Sequence, residues 1–370
     1  MSQNLSRPTH LEVNLSQLRR NLEAIRAHVA PAKVLAVVKA NAYGHGVDGV
    51  APFIAPFADY LGVAIVEEGV HLRELGVQKP ILVMGGTLPD QLPLFLQYDL
   101  TLTASSPDLL AAAERAAEST RKRLKVHLKI DTGMERVGVR EYEAESFIEQ
   151  SLSCNHLDVE GIYTHFANSE TRDLTHIRLQ LARFMQVLGF YEKRGAPPPR
   201  IRHAANSGGI LQLPKSHLDM VRPGIMFYGI YPGPETVRSV DVQPAATWRS
   251  RVAFSKITLP GRPVSYGSLW QAEVPTRIAT IPCGYADGYF RRMTNLGRVI
   301  INGKSYPQVG RVCMDQFMVN AGEADVKVGD DVVLLGGGIA PEELAAWAGT
   351  NEYEVMTNIS ARVPRRFVTD

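Results

Sequence analysis

Hydrophobic positions along the chain fall into two regimes. From residue 15 to about 233, short apolar runs alternate with segments whose apolar residues recur every three or four positions. After Thr9–Val13, the residues Leu15, Leu18, Leu22 and Ile25 share one face of a predicted helix over 15–29. Arg19, Arg20 and Glu23 take its other face, and Asn14 is placed to cap it. Strands are predicted at 34–38, 60–65, 80–84, 100–103, 125–130, 159–164, 201–205 and 217–222. Helical segments fill the gaps at 47–57, 67–76, 90–98, 107–119, 142–152 and 172–193. Within 125–130, Val126, Leu128 and Ile130 form one face, suited to packing under helices. Lys125, His127, Lys129 and Asp131 form the other, which points inward in a closed barrel. Eight strands alternating with helices fit an α/β fold with an N-terminal (β/α)₈ TIM-type barrel better than an open doubly wound sheet. No Gly-x-Gly-x-x-Gly follows a strand, which weakens a dinucleotide-binding reading.

After Tyr231-Pro232-Gly233-Pro234 the pattern changes. Strands are predicted within 246–258 and at 276–281, 298–301, 308–312, 318–320 and 331–335. Asn302-Gly303 is a strong hairpin signal. One helix, 341–348, interrupts the strands. The expected organisation is a barrel over 1–240 and a mostly β C-terminal domain over 241–370.

Composition narrows the function classes. The chain has 370 residues, 45% hydrophobic and 21% charged, as globular enzymes do. A net charge of +2 implies no strong field for nucleic acid or membrane. Cys154, Cys283 and Cys313 are too few and too scattered for a disulfide framework or a zinc knuckle, so no metal is expected. The polar stretch Met1–His10 lacks the apolar core of a signal peptide, and no apolar run is long enough to span a bilayer. A cytoplasmic location is the expectation.

Candidate chemistry begins where the 34–38 run stops at Lys39. A lysine at the carboxyl end of a barrel strand sits where such folds keep their active sites. Apolar neighbours penalise its charged form and lower its pKa, which makes it a usable amine nucleophile toward a carbonyl cofactor. A strand-end lysine reaching into solvent is the alternative. The stretch Ala36-Val37-Val38-Lys39-Ala40-Asn41-Ala42-Tyr43-Gly44-His45-Gly46 resembles the pyridoxal-phosphate lysine motif of alanine racemases. The resemblance implies that Lys39 carries pyridoxal 5′-phosphate and that Tyr43 touches its phosphate.

Further motifs, from about Leu11 to Arg366, extend this likeness. Asn206-Ser207-Gly208-Gly209 and Pro223-Gly224-Ile225 resemble the family's phosphate cradle, built from backbone N–H donors. By that resemblance Asn206, Ser207, Gly224, Ile225 and the distant Tyr353 join Tyr43 at the cofactor. Arg222-Pro223-Gly224 matches the motif whose arginine faces the pyridine nitrogen. An arginine there can only donate, so the ring nitrogen stays unprotonated and the ring is a weaker electron sink. His165 and His203 match histidines that surround this arginine. Asp131-Thr132-Gly133-Met134-Glu135-Arg136 matches the segment whose arginine binds the substrate carboxylate, a role that falls on Arg136. A loop arginine paired with Glu135 or Asp131 is the plain alternative. Lys129 faces inward near Arg136, and two buried cations repel. Many alanine racemases carbamylate the matching lysine; Asp131 is the other source of negative charge.

In the second domain, Pro263-Val264-Ser265-Tyr266-Gly267 resembles the segment carrying the second catalytic base. A free phenol, with a pKa of about 10, needs a neighbouring cation to act near neutrality. Pro282–Gly288 and Gly310–Gln316 are further matches and suggest Tyr285, Cys313 and Met314 around the substrate. Ile359–Arg365 closes the resemblance. The family shares its sites across a homodimer, so Tyr266 and Met314 are expected from the partner chain. The implied activity is interconversion of L- and D-alanine, supplying D-alanine for peptidoglycan. A racemase of serine or of a broader amino-acid range is the nearest alternative. Arg222 argues against a decarboxylase of this two-domain plan, and the second domain argues against a non-catalytic cofactor carrier.

Overall fold

The computed structural model describes residues Arg7–Asp370; Met1–Ser6, the start of the polar N-terminal stretch, lie outside them. The chain divides into two units. One comprises Leu18–Ala42 and Val47–Gln243. The other comprises Tyr43–Gly46, Pro244–Asp370 and the described residues up to Gln17.

The first unit is built on a parallel sheet. Its strands run in the order Met220–Val221, Lys33–Val37, Tyr60–Val63, Ile81–Val83, Thr101–Ala104, Leu124–Asp131, Leu157–Tyr163 and Ile201–His203. Two backbone bonds join the last to the first: Asp219 N donates to Arg202 O and Arg222 N to Ala205 O, each at 3.0 Å. The result is the nearly closed eight-stranded barrel predicted from the apolar runs. Its strands are covered on both faces, which is why Ile81, Leu82 and Val83 are all buried. Helices take up the intervening periodic segments. Pro107–Thr120 starts with proline in its first turn, where Ser106 Oγ accepts from Leu109 N at 3.2 Å. The helix Leu15–Val29 has its predicted bounds, and Asn14 Oδ1 accepts from Gln17 N at 2.9 Å.

The second unit holds a nine-stranded sheet. Its order is Phe254–Thr258, Thr276–Ile281, Phe317–Gly322, Lys304–Val309, Arg298–Ile301, Asp331–Leu335, Ala246–Arg251, His10–Asn14 and Arg365–Val368. The first strand of the chain therefore departs from a contiguous boundary near 240. His10–Asn14 pairs antiparallel with Ala246–Arg251 and parallel with Arg365–Val368. Its pattern explains this: Leu11 and Val13 are buried while His10, Glu12 and Asn14 are half-exposed, the alternation of a one-faced sheet rather than of a barrel strand. Asn302 and Gly303 both take left-handed φ values, 48° and 78°, and turn Arg298–Ile301 into Lys304–Val309. The strand predicted at 308–312 thus begins earlier, because the tight turn lets polar Lys304 and Ser305 enter the ladder at once. The helix Glu352–Asn358 was not predicted. It is only seven residues long, too short for a periodic signal, and is marked by Asn351 accepting from Glu354 N. Among the described residues no helix is long and apolar enough to cross a membrane.

Candidate active site

Lys39 stands just past the carboxyl end of Lys33–Val37. The next four residues, Ala40, Asn41, Ala42 and Tyr43, all lie in the left-handed region, with φ of 52°, 56°, 53° and 51°. The sequence reads here only as a turn of small residues. Side chains other than glycine pay about 1–2 kcal/mol each in that region, so such a turn must be held by its surroundings. Glu68 Oε1 accepts from Ala40 N at 2.6 Å, while Oε2 accepts from Ala64 N at 2.7 Å. Asn41 Oδ1 accepts from Val47 N at 2.8 Å and closes the far side. Glu68 therefore clamps the Lys39 turn to the end of the neighbouring strand.

Lys39 opens into a cavity of about 240 Å³ inside the first unit, lined also by Lys129, Arg136, Tyr163, His165 and Arg222. Burial lowers the Lys39 pKa, Arg136 adds to the effect, and Glu68 opposes it. Lys129 falls well below its ordinary value, through burial and then through Arg222 and Arg136, with Asp131 opposing. Its Nζ rests 4.2 Å from the centre of the Tyr163 ring. The inward cation conflict inferred from the alternating strand is thus present, and it works against the charged form of Lys129. Asp131 is engaged elsewhere. Its carboxylate accepts from the backbone N–H groups of Gly133, Met134 and Arg136 at 2.9, 2.8 and 3.1 Å and shapes the loop that carries Arg136. Glu135 pairs with Arg140 instead. The plain alternative for Arg136, a loop ion pair with either acid, is not what is found.

Arg222 is buried, and its direct partners are acceptors. Nη1 donates to His203 Nδ1 at 2.9 Å. Nη2 donates to Thr164 O at 2.7 Å and Ala204 O at 2.9 Å, and lies 3.3 Å from His165 Nδ1. Burial brings Arg222 down to about 10, which still leaves it a cation at neutral pH. Burial, followed by the charge of Arg222, holds His165 and His203 well below the ordinary histidine value, so both are neutral. His203 sits behind Arg222, and its ring stacks on Tyr163 at 4.5 Å.

A second corner of the same unit offers donors. Ser207 Oγ accepts from Gly224 N at 3.0 Å and Met226 N at 3.4 Å, which leaves its O–H to donate. Ile225 follows at the start of the short turn Ile225–Tyr228. Asn206 Oδ1 is taken up by Gly209 N at 3.0 Å and Ser169 Oγ at 2.8 Å, so it caps the Ser207–Gln212 helix. A Cβ at Gly208 would collide with Ser169, so only glycine fits there.

In the second unit Tyr43 lies against Tyr353, ring centres 6.2 Å apart. Gly44, with φ of 78°, lies where a Cβ would overlap the Met356 carbonyl. Tyr266 is 70% exposed and borders a concavity of about 990 Å³ with Tyr285, Arg311, Cys313 and Met314. Ser265 holds φ 68° and ψ −178°, a conformation almost confined to glycine, and its Oγ donates to Arg311 O at 2.7 Å. Tyr285 N donates to Cys313 O and Ala286 N to Met314 O, each at 3.0 Å, which ties the two loops together.

Residues 13–232 match the model of the alanine racemase N-terminal domain, and residues 245–367 that of the C-terminal domain. The chain belongs to the alanine racemase family. An alanine racemase of Carboxydothermus hydrogenoformans is 45% identical over 98% of this chain and 100% of its own length. One from Halothermothrix orenii is 41% identical over 99% and 98%. The solved alanine racemase of Clostridium difficile superposes with a TM-score of 0.94 at 34% identity, covering 99% of this chain and 97% of that one. Within this alanine racemase fold, the barrel unit brings Lys39, Lys129, Arg136, His165 and Arg222 to one cavity. Tyr266, Tyr285, Cys313 and Met314 share a separate concavity in the β unit. Sequence reasoning missed Glu68 and Tyr163. Glu68 lay among ordinary helix-start acids, and Tyr163 reads as one more apolar strand residue.

Proposed function

We propose that this chain is a pyridoxal-phosphate-dependent alanine racemase, interconverting L- and D-alanine by two bases on opposite faces of the substrate. The observation that carries the reading is the single cavity where a lysine of lowered pKa meets two arginines, while Asp131, the acid on its wall, is spent on backbone N–H groups. The donor set fits the cofactor. The Ser207 hydroxyl and the Ile225 N–H suit a phosphate, with Gly224 N holding Ser207 in place, and Lys39 suits its aldehyde. When bound, pyridoxal phosphate supplies an aldehyde that condenses with amines and a conjugated ring that withdraws electrons from the substrate α-carbon. Arg222, fixed by two carbonyls and two imidazoles, is the group that would face the ring nitrogen, where as a donor it would keep that nitrogen unprotonated. By family likeness, Tyr43 and Tyr353 add hydroxyl donors to the phosphate.

Arg136 binds the alanine carboxylate, its backbone placed by Asp131. Lys39 Nζ takes or returns the α-proton of D-alanine, for which a lowered pKa is an advantage. The phenolic oxygen of Tyr266 does the same for L-alanine. Its exposure in the β unit supports a role at the site of a second chain, so the active form is a homodimer with shared sites, and Met314 and Tyr285 border the substrate's approach. Lys129, its pKa drawn well down by burial and by the two arginines, is suited to capture carbon dioxide as a carbamate, which would give Arg136 a local anion. On this reading the product is D-alanine for peptidoglycan, made in the cytoplasm. Purified protein incubated with the cofactor and L-alanine should lose optical activity until the enantiomers are equal. Unchanged rotation with cofactor bound at Lys39 would overturn the proposal.

A further inference from the structure

The barrel interior holds a buried acid and histidine that the proposed chemistry leaves unused, Glu160 and His127. They continue the line of polar groups behind Arg222, by hydrogen bonds as far as His127 and then by a charge contact from His127 Nε2, which makes no hydrogen bond, to Glu160. Arg222 Nη1 donates to His203 Nδ1 at 2.9 Å, His203 Nε2 meets His127 Nδ1 at 2.8 Å, and His127 Nε2 stands 3.5 Å from Glu160 Oε1. Glu160 Oε2 accepts from Arg200 Nη2 at 2.8 Å, and Arg200 is exposed. Thr101 Oγ1 donates to Glu160 Oε1 at 3.4 Å, and Tyr60 is a neighbour that helps lower the pKa of the same carboxyl.

The proton positions in this chain follow from its ends. A guanidinium has donors only, so His203 Nδ1 must be the acceptor. A neutral His203 then carries its proton on Nε2 and donates it to His127 Nδ1. A neutral His127 must in turn carry its proton on Nε2, facing Glu160. Burial would raise the Glu160 pKa, but His127, Arg200 and Tyr60 together bring it down to about 2, so the far end is an anion. Both ends dictate the same direction. The neighbouring strand makes room for it: a Cβ at Gly161 would overlap the His127 ring.

We infer that Glu160 and His127 are positioning residues for Arg222, forming a one-directional relay that connects the buried guanidinium to a carboxylate through two neutral imidazoles. The direct partners of Arg222 are carbonyls and imidazoles, so its charge is compensated at a distance. Each bond in such a chain polarises the next, which strengthens His203 Nδ1 as an acceptor and holds Arg222 in place as a donor. The inference rests on the proposed racemase reading only for its consequence in turnover.

Nitrogen NMR of the histidine-labelled holoenzyme tests the relay directly. His127 and His203 should each show an unprotonated Nδ1 and a protonated Nε2; a protonated Nδ1 on either would overturn the relay. Turnover supplies the second readout. Glu160→Gln keeps the shape and removes the charge, and should raise the ratio of transamination to racemisation of alanine by about threefold or more, as expected when one charge-assisted bond in a buried chain weakens. A merely structural defect would lower both rates together. Arg200→Gln alters only the exposed anchor, so it keeps the test open should Glu160→Gln fail to fold, and its ratio should rise in the same direction by less. Folded, active variants with an unchanged ratio would overturn the inference. A wild-type protein that fails to racemise alanine would defeat the functional reading instead, while the histidine signals would still judge the relay.

Discussion

Removing the Glu68 carboxylate tests how the Lys39 turn is held. The perturbation is Glu68→Ala, which deletes the bonds to Ala40 N at 2.6 Å and Ala64 N at 2.7 Å and a weaker one to Ile65 N at 3.4 Å. Each short charge-assisted bond contributes about 1.5 kcal/mol at the low end of its range, and water reaching the exposed Ala40 recovers about 1 kcal/mol. The expected loss is about 2 kcal/mol. Glu68→Gln keeps one accepting oxygen and should lose about half as much. Urea unfolding measures this as a lower midpoint at unchanged slope. The left-handed turn it restrains carries roughly 4–8 kcal/mol of backbone strain over its four residues, so loosening one end should let Lys39 drift. Glu68 also opposes the lowering of the Lys39 pKa, so its removal should lower that pKa further. Borohydride trapping of the cofactor at Lys39, located by peptide mapping, should fall in yield. An unchanged midpoint together with unchanged trapping would refute the clamp.

Other outcomes follow from the same geometry. Mixing inactive Lys39→Ala and Tyr266→Phe chains should recover activity, since one site of each hybrid dimer has both bases; no recovery despite verified subunit exchange would sink the shared site. In deuterated water, Tyr266→Phe should still exchange the α-proton of D-alanine while leaving that of L-alanine nearly untouched, and equal exchange from both would end the two-base reading. His165, His203 and His127 have depressed pKa values when folded and ordinary ones when unfolded. Below about pH 6.5 the unfolded chain therefore binds more protons. Stability should be fully present above that pH and fall on acidification by up to about 1.4 kcal/mol per pH unit for each histidine. A pH-independent melting temperature between about pH 5 and 7 would contradict their neutral burial.

Most of the architecture is legible in the chain because its signals are local. Runs such as Ile81–Val83 can only be strands covered on both sides, and Asn14, Ser106 and Asn302-Gly303 mark caps and a turn through their own backbone chemistry. The strand–loop motifs around Lys39, Arg136, Ser207 and Arg222 were legible for the same reason, each lying in one short segment. What the chain did not announce depends on distant partners. His10–Asn14 joins the second unit because Ala246–Arg251 and Arg365–Val368 accept its backbone, and no local pattern names them. Four consecutive left-handed residues after Lys39 contradict their own propensities and exist because Glu68, 28 residues on from Ala40, holds them. The inward alternation placed Lys129 beside other cations, but only the fold showed Asp131 spent on a loop and Tyr163 beneath the amine. The strand alternation turned His127 inward, but nothing in the chain paired it with His203 or placed Glu160 behind it. Burial then made their proton positions a property of the whole row of polar groups rather than of either residue.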